Sequence, residues 1–449
     1  MSRRHVRLVL ASLTALAAAS CGNPAYRAAE RGDHARLRAE IAGKHERGKL
    51  SNGEAACLAR AVATRELVTA KDEATAVSRI RESRACAGEL DDALEARMKT
   101  HDAAGAEAAL SRVEDGKLSE SAARAFLTDP DDRWRAVGAR TLHRDDDKAA
   151  RQQAILDPSP KVRRSAIRAA ADAKDPADLD VLFETARVDP ELMLRNEALR
   201  AMSAILRTDA GKPRAAEHAM RLRDLWNAGD DAVREDVAVA WALAPVFESG
   251  GREALRVHIA GGKGPGAIAA AGVVVRTAAK DAELVASASA LLARTIVEGS
   301  RRDRLHAIAS ARANGAELEA LRKAAKDDDL DIRVPALARI MDSKPDRDAA
   351  MRDLEAIAGQ GVAKGKDAPE ERVLQHAARA RLALAYAGDL RIQAWIEQDL
   401  AASDPRRRLG AASALSALGR AARAAPLLAD ADPSVRTRAA CTMLVASRR

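Results

Sequence analysis

The phrase LDPSPKVRRSAIRAA, Leu156 to Ala170, nearly repeats LTDPDDRWRAVGARTL, Leu127 to Leu142. Both place Asp-Pro ahead of a hydrophobic-Arg pair and then a run of small apolar residues. Aligned on that pair, the chain returns to the phrase at Trp134-Arg135, Val162-Arg163, Leu194-Arg195, Val233-Arg234, Ile332-Arg333 and Val435-Arg436. Weaker copies stand at Asp303-Arg304, Glu371-Arg372 and Leu409-Gly410. The first arginines are 28, 32 and 39 residues apart, and the 70 residues from Arg234 to Arg304 make two periods, with Gly266–Val275 as a degenerate unit between them. Recurrence at this period marks stacked supersecondary units and excludes one compact core. About ten such units fit between Ser119 and the C-terminus.

The composition sets what each unit is made of. Aromatic residues are 2% of the chain, and Ala and Leu are abundant, so helix is favoured over strand. After the pair, Val162, Ala166, Ala169 and Ala173 fall on one helical stripe, and Leu179, Leu182, Phe183 and Ala186 fall on another. Each unit therefore reads as two amphipathic helices that bury their apolar faces by stacking on neighbours. Asp129, Asp157, Asp189 and Asp404, each before Pro, read as helix starts, where Asp accepts free backbone N–H groups and Pro lacks none that is needed.

These phrases, with DDLDIRVPALARI and DADPSVRTRAACTML near the far end, resemble HEAT repeats of the short bacterial type. The resemblance covers residues 119–449 and implies an all-α fold, an α-solenoid (α/α superhelix) of HEAT-like helical hairpins. It also implies that the Asp and Arg of the phrase form a buried ladder between units, assigning structural roles to Asp129, Arg135, Asp157, Arg163, Arg195, Arg234, Arg333 and Arg436. Gly410 stands where its unit should have the Arg, which predicts an interrupted ladder there. In the family the helix carrying the phrase lines the concave face. Residues 21–118 differ; AYRAAERGDHARLRAEI, Ala25 to Ile41, resembles the helical half of one ankyrin repeat, and the region reads as helical hairpins capping the array.

Residues 1–20 carry Arg3, Arg4 and Arg7 and then an apolar run from Leu8 to Ala19, too short to span a membrane and suited to a secretory signal. With Cys21 following, the segment resembles a bacterial lipoprotein signal, although Ala18 occupies the place where that family usually has Leu. The resemblance implies lipidation of Cys21, the alternative being ordinary signal cleavage near Ala19 or Ser20, and Gly22 after the Cys implies the outer membrane, with the protein facing the periplasm. Loss of the signal's three arginines takes the formal charge from +8 to +5, too small an excess to point to nucleic acid. In an oxidising compartment Cys57 and Cys86 read as a disulfide, or else as two facing buried thiols; Cys441 reads as a small packed residue.

Chemistry is hard to find. The nine histidines include no pair three or four residues apart, so helix-borne metal pairs are absent, and no metal or cofactor is expected. GGKGPG, Gly261 to Gly266, lacks the ending of a phosphate loop and reads as a helix break. Gly359–Pro369 reads as a second, longer break. Asp145-Asp146-Asp147 and Asp327-Asp328-Asp329 read as helix starts, not as calcium loops. Arg140, Lys161, Arg164, Arg168 and Arg200 form a candidate basic ridge, a binding surface for an acidic protein segment or simply a solvated helix face. The expected function is a non-enzymatic, lipid-anchored envelope scaffold that binds another protein. The alternative is an accessory or lyase-like protein acting on a chromophore or a modified partner.

Overall fold

The computed structural model describes residues 23–46, 50–277, 281–361 and 369–448. Cys21 and the signal segment lie outside the described residues, as does most of the Gly359–Pro369 break. Among the described residues there is no strand, and the architecture is the α-solenoid anticipated from the repeats. None of the described helices is long and apolar enough to cross a membrane. The chain divides into two compact units, Ser119–Met351 and, together, Met1–Leu118 with Arg352–Arg449.

In the unit Ser119–Met351, the helices that carry the phrase form one continuous row. Asp132–Ala139, Pro160–Ala173, Leu192–Leu206, Asp231–Trp241, Gly264–Thr277, Arg301–Ser310 and Leu330–Ile340 each pack on the next. A second layer, beginning with Lys148–Ile155, Leu179–Val188 and Ala215–Ala228, supplies each one's hairpin partner. The degenerate unit takes its place in the row as Gly264–Thr277, in which Gly266 to Val275 are all buried. A helix apolar all round belongs between two layers, which is why its phrase is unrecognisable. Its entry needs glycine: Gly264 has φ +79°, and a Cβ on Gly266 would come within 2.9 Å of the Arg234 side chain.

In the other unit the row is Glu371–Tyr386, Pro405–Ala417 and Pro433–Ala446, and the helix that follows is Asn52–Thr69. The N-terminal helices therefore cover the last repeat. Leu58, Val62 and Leu67 on one side and Val435, Ala439 and Met443 on the other are all buried. The cysteine expectation is corrected here: Cys86 is bonded to Cys441, with Cα atoms 5.3 Å apart across 355 residues of sequence, so Cys86 cannot pair with Cys57. Cys57 lies on the helix Asn52–Thr69, whereas Cys86 sits in the 3-10 turn Arg84–Glu89, which packs against Pro433–Ala446.

The core uses few aromatics, and two of its largest fully buried side chains are Arg151 and Arg381. Each is tolerated because its donors are matched. Arg151 meets Asp178 at 2.5 Å, Asp175 at 3.1 Å and the carbonyls of Leu142 and Arg144. Arg381 meets Asp399 at 2.8 Å and the carbonyls of Ala358 and Trp395.

Candidate functional site

The arginine of the phrase holds a unit at both ends. Arg163 donates from Nη1 to the carbonyls of Asp157 and Pro158, closing the loop before its own helix. Its Nε and Nη2 reach the two oxygens of Asp189, the Asp of the next phrase, at 2.8 and 3.0 Å. This is a bidentate pair with the Asp189 side chain only 4% exposed, the strongest form of the contact. Arg135 repeats the loop closure on Asp129 and Pro130 and approaches Asp157 at 3.8 Å. Arg304 pairs with Asp327, and Arg408 pairs with Asp430 while binding the carbonyls of Ala402 and Ser403.

Two details of the sequence reading change. The ladder Asp is not the helix cap: Asp129, Asp157 and Asp189 sit in the loop and accept the N–H two residues on, while Asp131, Ser159 and Glu191 occupy the cap positions. Only Asp404 caps directly, receiving the N–H of Arg406. The register at Gly410 was also two residues off. Arg408 fills the ladder position, so the interruption expected at Gly410 does not occur.

The ladder thins where the following unit lacks its Asp. Arg195 reaches Asp230 at only 3.4 Å. Arg234 faces the degenerate unit and turns back to the Trp226 carbonyl and to Asp231 on its own helix. Separately, the Arg333 Nε is buried with no hydrogen-bond partner among the described residues. At the other end, Arg436 binds the carbonyls of Asp430 and Ala431 as its predecessors do. Its carboxylate partner is Glu66, at 2.6 Å. Glu66, on the helix Asn52–Thr69, thus stands in for the Asp of a next unit.

The candidate ridge forms a second line of ion pairs along the same row. Arg140 meets Asp172 at 2.7 Å, Arg164 and Arg168 meet Glu197 at 2.8 and 3.3 Å, and Arg200 meets Asp236 at 3.2 Å. Lys161 reaches back to Asp132 at 3.3 Å. Every one of the five has a carboxylate on a neighbouring helix, so the surface offers paired charge instead of bare positive charge. Burial pushes the Asp236 carboxyl up, against the opposing pull of Arg200. Only Lys161 and Arg200 project strongly, with side chains 52% and 67% exposed.

Groups that carry chemistry elsewhere are structural here. Asp147 pairs with Arg124, and Asp327 and Asp329 with Arg304 and Arg301. Among the described residues no group of His, Cys, Asp and Glu could hold a metal. His258 stacks on Trp226 and Trp241, with ring centroids 4.3 and 5.5 Å away. The buried arginines Arg151 and Arg381 and the mimic Glu66 escaped the sequence reading. Their one signal is an Arg facing inward on an Ala-rich helix, and it has no period.

Residues 119–203 match the family model described as HEAT repeats. No curated protein matches the chain. Among solved structures it is similar to a Kap121p mutant at 13% identity and TM-score 0.35, covering 84% of this chain and 44% of that one. Kap121p bound to Ste12p gives 13% identity, TM-score 0.34 and coverage of 85% and 43%. The chain thus spans less than half the length of those Kap121p chains. A structure from work on the interaction between cadherin and beta-catenin gives 13% identity and TM-score 0.30, over 86% of this chain and 100% of that one. The family match places HEAT repeats at residues 119–203, and the stacked helical hairpins give the chain an α-solenoid fold.

Proposed function

We propose that this protein is a non-enzymatic interaction scaffold of the bacterial cell envelope, exported, tethered by a lipid on Cys21 to the periplasmic side of the outer membrane, and binding another protein along the helices from residue 132 to 241. The observation that supports the reading best is the double line of ion pairs on that row. The Arg163–Asp189 type of contact and the Arg140–Asp172 type tie each helix to the next in fixed register, so the exposed side chains are presented by a preorganised surface and little ordering is left to oppose binding. A net charge this small and a scarcity of stacking aromatics favour protein over nucleic acid as the partner.

The test is proximity cross-linking of the full chain in a Gram-negative host, beside Cys21→Ala and the double variant Lys161→Gln, Arg200→Gln. Membrane fractionation should be lost with Cys21→Ala. The double variant should fold normally, because the substituted side chains are the most exposed of the ridge, and should capture the wild-type partner at least fivefold less. Soluble wild-type protein would remove the envelope reading, and undiminished capture by the double variant would remove the binding row.

A further inference from the structure

The disulfide joining Cys86 to Cys441 is buried on one side and approached by a groove on the other. The groove has a volume of about 350 Å³, and Glu82, Tyr386, Ser416, Arg438 and Cys441 are among the residues lining it. Cys86 is wholly buried and Cys441 is 4% exposed, and Cys441 is the member of the pair that lines the groove. Arg438 lies one helical turn before Cys441 on the helix Pro433–Ala446, is exposed and makes no ion pair among the described residues. Glu82, the opposing charge, is engaged by Arg79 and by the Ser434 hydroxyl. A groove lined by an exposed cation and, one helical turn on, by a disulfide cysteine attracts an anionic nucleophile, and the thiolate is the anion that reacts there.

The bond also sits where the N-terminal helices pack against the helix Pro433–Ala446. Around it, Arg436 holds Glu66, Ser434 holds Glu82 and Arg448 reaches Glu89 at 3.1 Å. Each of these contacts ties the last repeat to the N-terminal helices, and the disulfide is the covalent member of the set. We propose that Cys86–Cys441 is a thiol–disulfide exchange site, entered through this groove by a dithiol, and that its reduction loosens the N-terminal helices from the last repeat.

The chemistry balances without any further reagent. One thiolate of the dithiol bonds to the Cys441 sulfur as the Cys441–Cys86 bond breaks, and Cys86 leaves as a thiolate and takes a proton from solvent. The second thiolate of the dithiol then attacks its own partner sulfur in the mixed disulfide and releases Cys441. The dithiol is oxidised to its disulfide by two electrons, and both cysteines become thiols. What opens is the terminal face of the row, the face on which every earlier helix receives its neighbour.

The experiment uses the folded full chain without denaturant. Two probes are applied, dithiothreitol and a reduced protein dithiol of the thioredoxin type, followed by alkylation and peptide mapping of Cys86 and Cys441 and by hydrogen exchange. Reduction by dithiothreitol should proceed natively and slow at least threefold in Arg438→Glu at low ionic strength, with the difference vanishing in high salt. Exchange should rise at least tenfold in residues 52–69 and 433–446 and stay unchanged in residues 132–340. Reaction with both probes assigns a protein dithiol as an admissible reductant, and reaction with dithiothreitol alone restricts the site to small dithiols. A bond that yields only after unfolding, a rate indifferent to residue 438, or unchanged exchange after reduction would overturn the proposal. Because the bond is reduced in already folded protein, a folding defect in Cys86→Ser or Cys441→Ser would leave the result intact.

Discussion

Arg163 and Arg135 occupy the same position in successive units, yet their surroundings predict different consequences of loss. Arg163 holds a nearly buried carboxylate with two hydrogen bonds, and removing it strands that charge, at a cost of about 3–5 kcal/mol. Arg135 approaches its Asp at 3.8 Å with both side chains partly in solvent, so Arg135→Ala should cost about 1 kcal/mol or less. Denaturant unfolding followed by the fluorescence of Trp134, Trp226 and Trp241 measures both, and equal losses would refute the ladder energetics. His218 supplies a second prediction at this scale. It is completely buried, neither ring nitrogen has a hydrogen-bond partner among the described residues, and the charges near it are Glu217 and Arg221 on its own helix, Arg214 just before that helix and Asp180 on Leu179–Val188. Burial foremost, helped by Arg214, lowers its pKa to about 4. The folded protein thus resists a proton that the unfolded chain accepts near pH 6.5. Stability is full above about pH 6.5, falls through the window down to about 4 by roughly 3 kcal/mol, and levels off below it. His34 and His258 are shifted in the same direction by burial, so the decisive quantity is the difference from His218→Leu, whose unfolding free energy should decline less over that window.

At the scale of elements, the row is held in register by contacts that skip from one phrase to the next, and its last member borrows a contact from the N-terminal helices. Arg436 has a side chain 8% exposed, and Glu66 is its carboxylate. Glu66→Ala should therefore destabilise the unit by about 3 kcal/mol, because a buried guanidinium loses its counter-charge. Replacing both partners, Glu66→Leu with Arg436→Met, should recover most of that loss. Hydrogen exchange over residues 433–446 reads the outcome, and a double variant no better than the single one would show that the pair is not acting as the terminal rung. The same elements show where sequence reading succeeds. Helix starts with Pro at the first position, as at Pro160, Pro405 and Pro433, are legible because the cap and the Pro act within four residues. The two-residue slip at Gly410 arose because Asp404 caps its helix directly whereas Asp157 sits two residues ahead of its cap, and the two settings share the same Asp-Pro dipeptide.

At the scale of the molecule, repetition made the fold class legible: the helical stripes, the paired hairpins and the need to stack all follow from local spacing of small apolar residues. The positions of Arg135, Arg163 and Arg436 and of the ridge arginines were readable within the helices that bear them, whereas Arg408 was missed. Their partners were not. Asp172, Asp189, Glu197 and Asp236 lie on neighbouring units, and whether a ridge Arg meets water or a carboxylate depends on how two helices pack. The Cys86–Cys441 bond and the Arg436–Glu66 rung join residues more than 350 positions apart, and no periodicity links such distant segments. By itself, then, the sequence determined an array of helical hairpins with a charged residue at each joint, because propensity and periodicity act over a few turns of chain. Only the tertiary structure decided that the N-terminal helices close over the last repeat and that the ridge is internally neutralised, because both depend on which surfaces meet once the stack is formed.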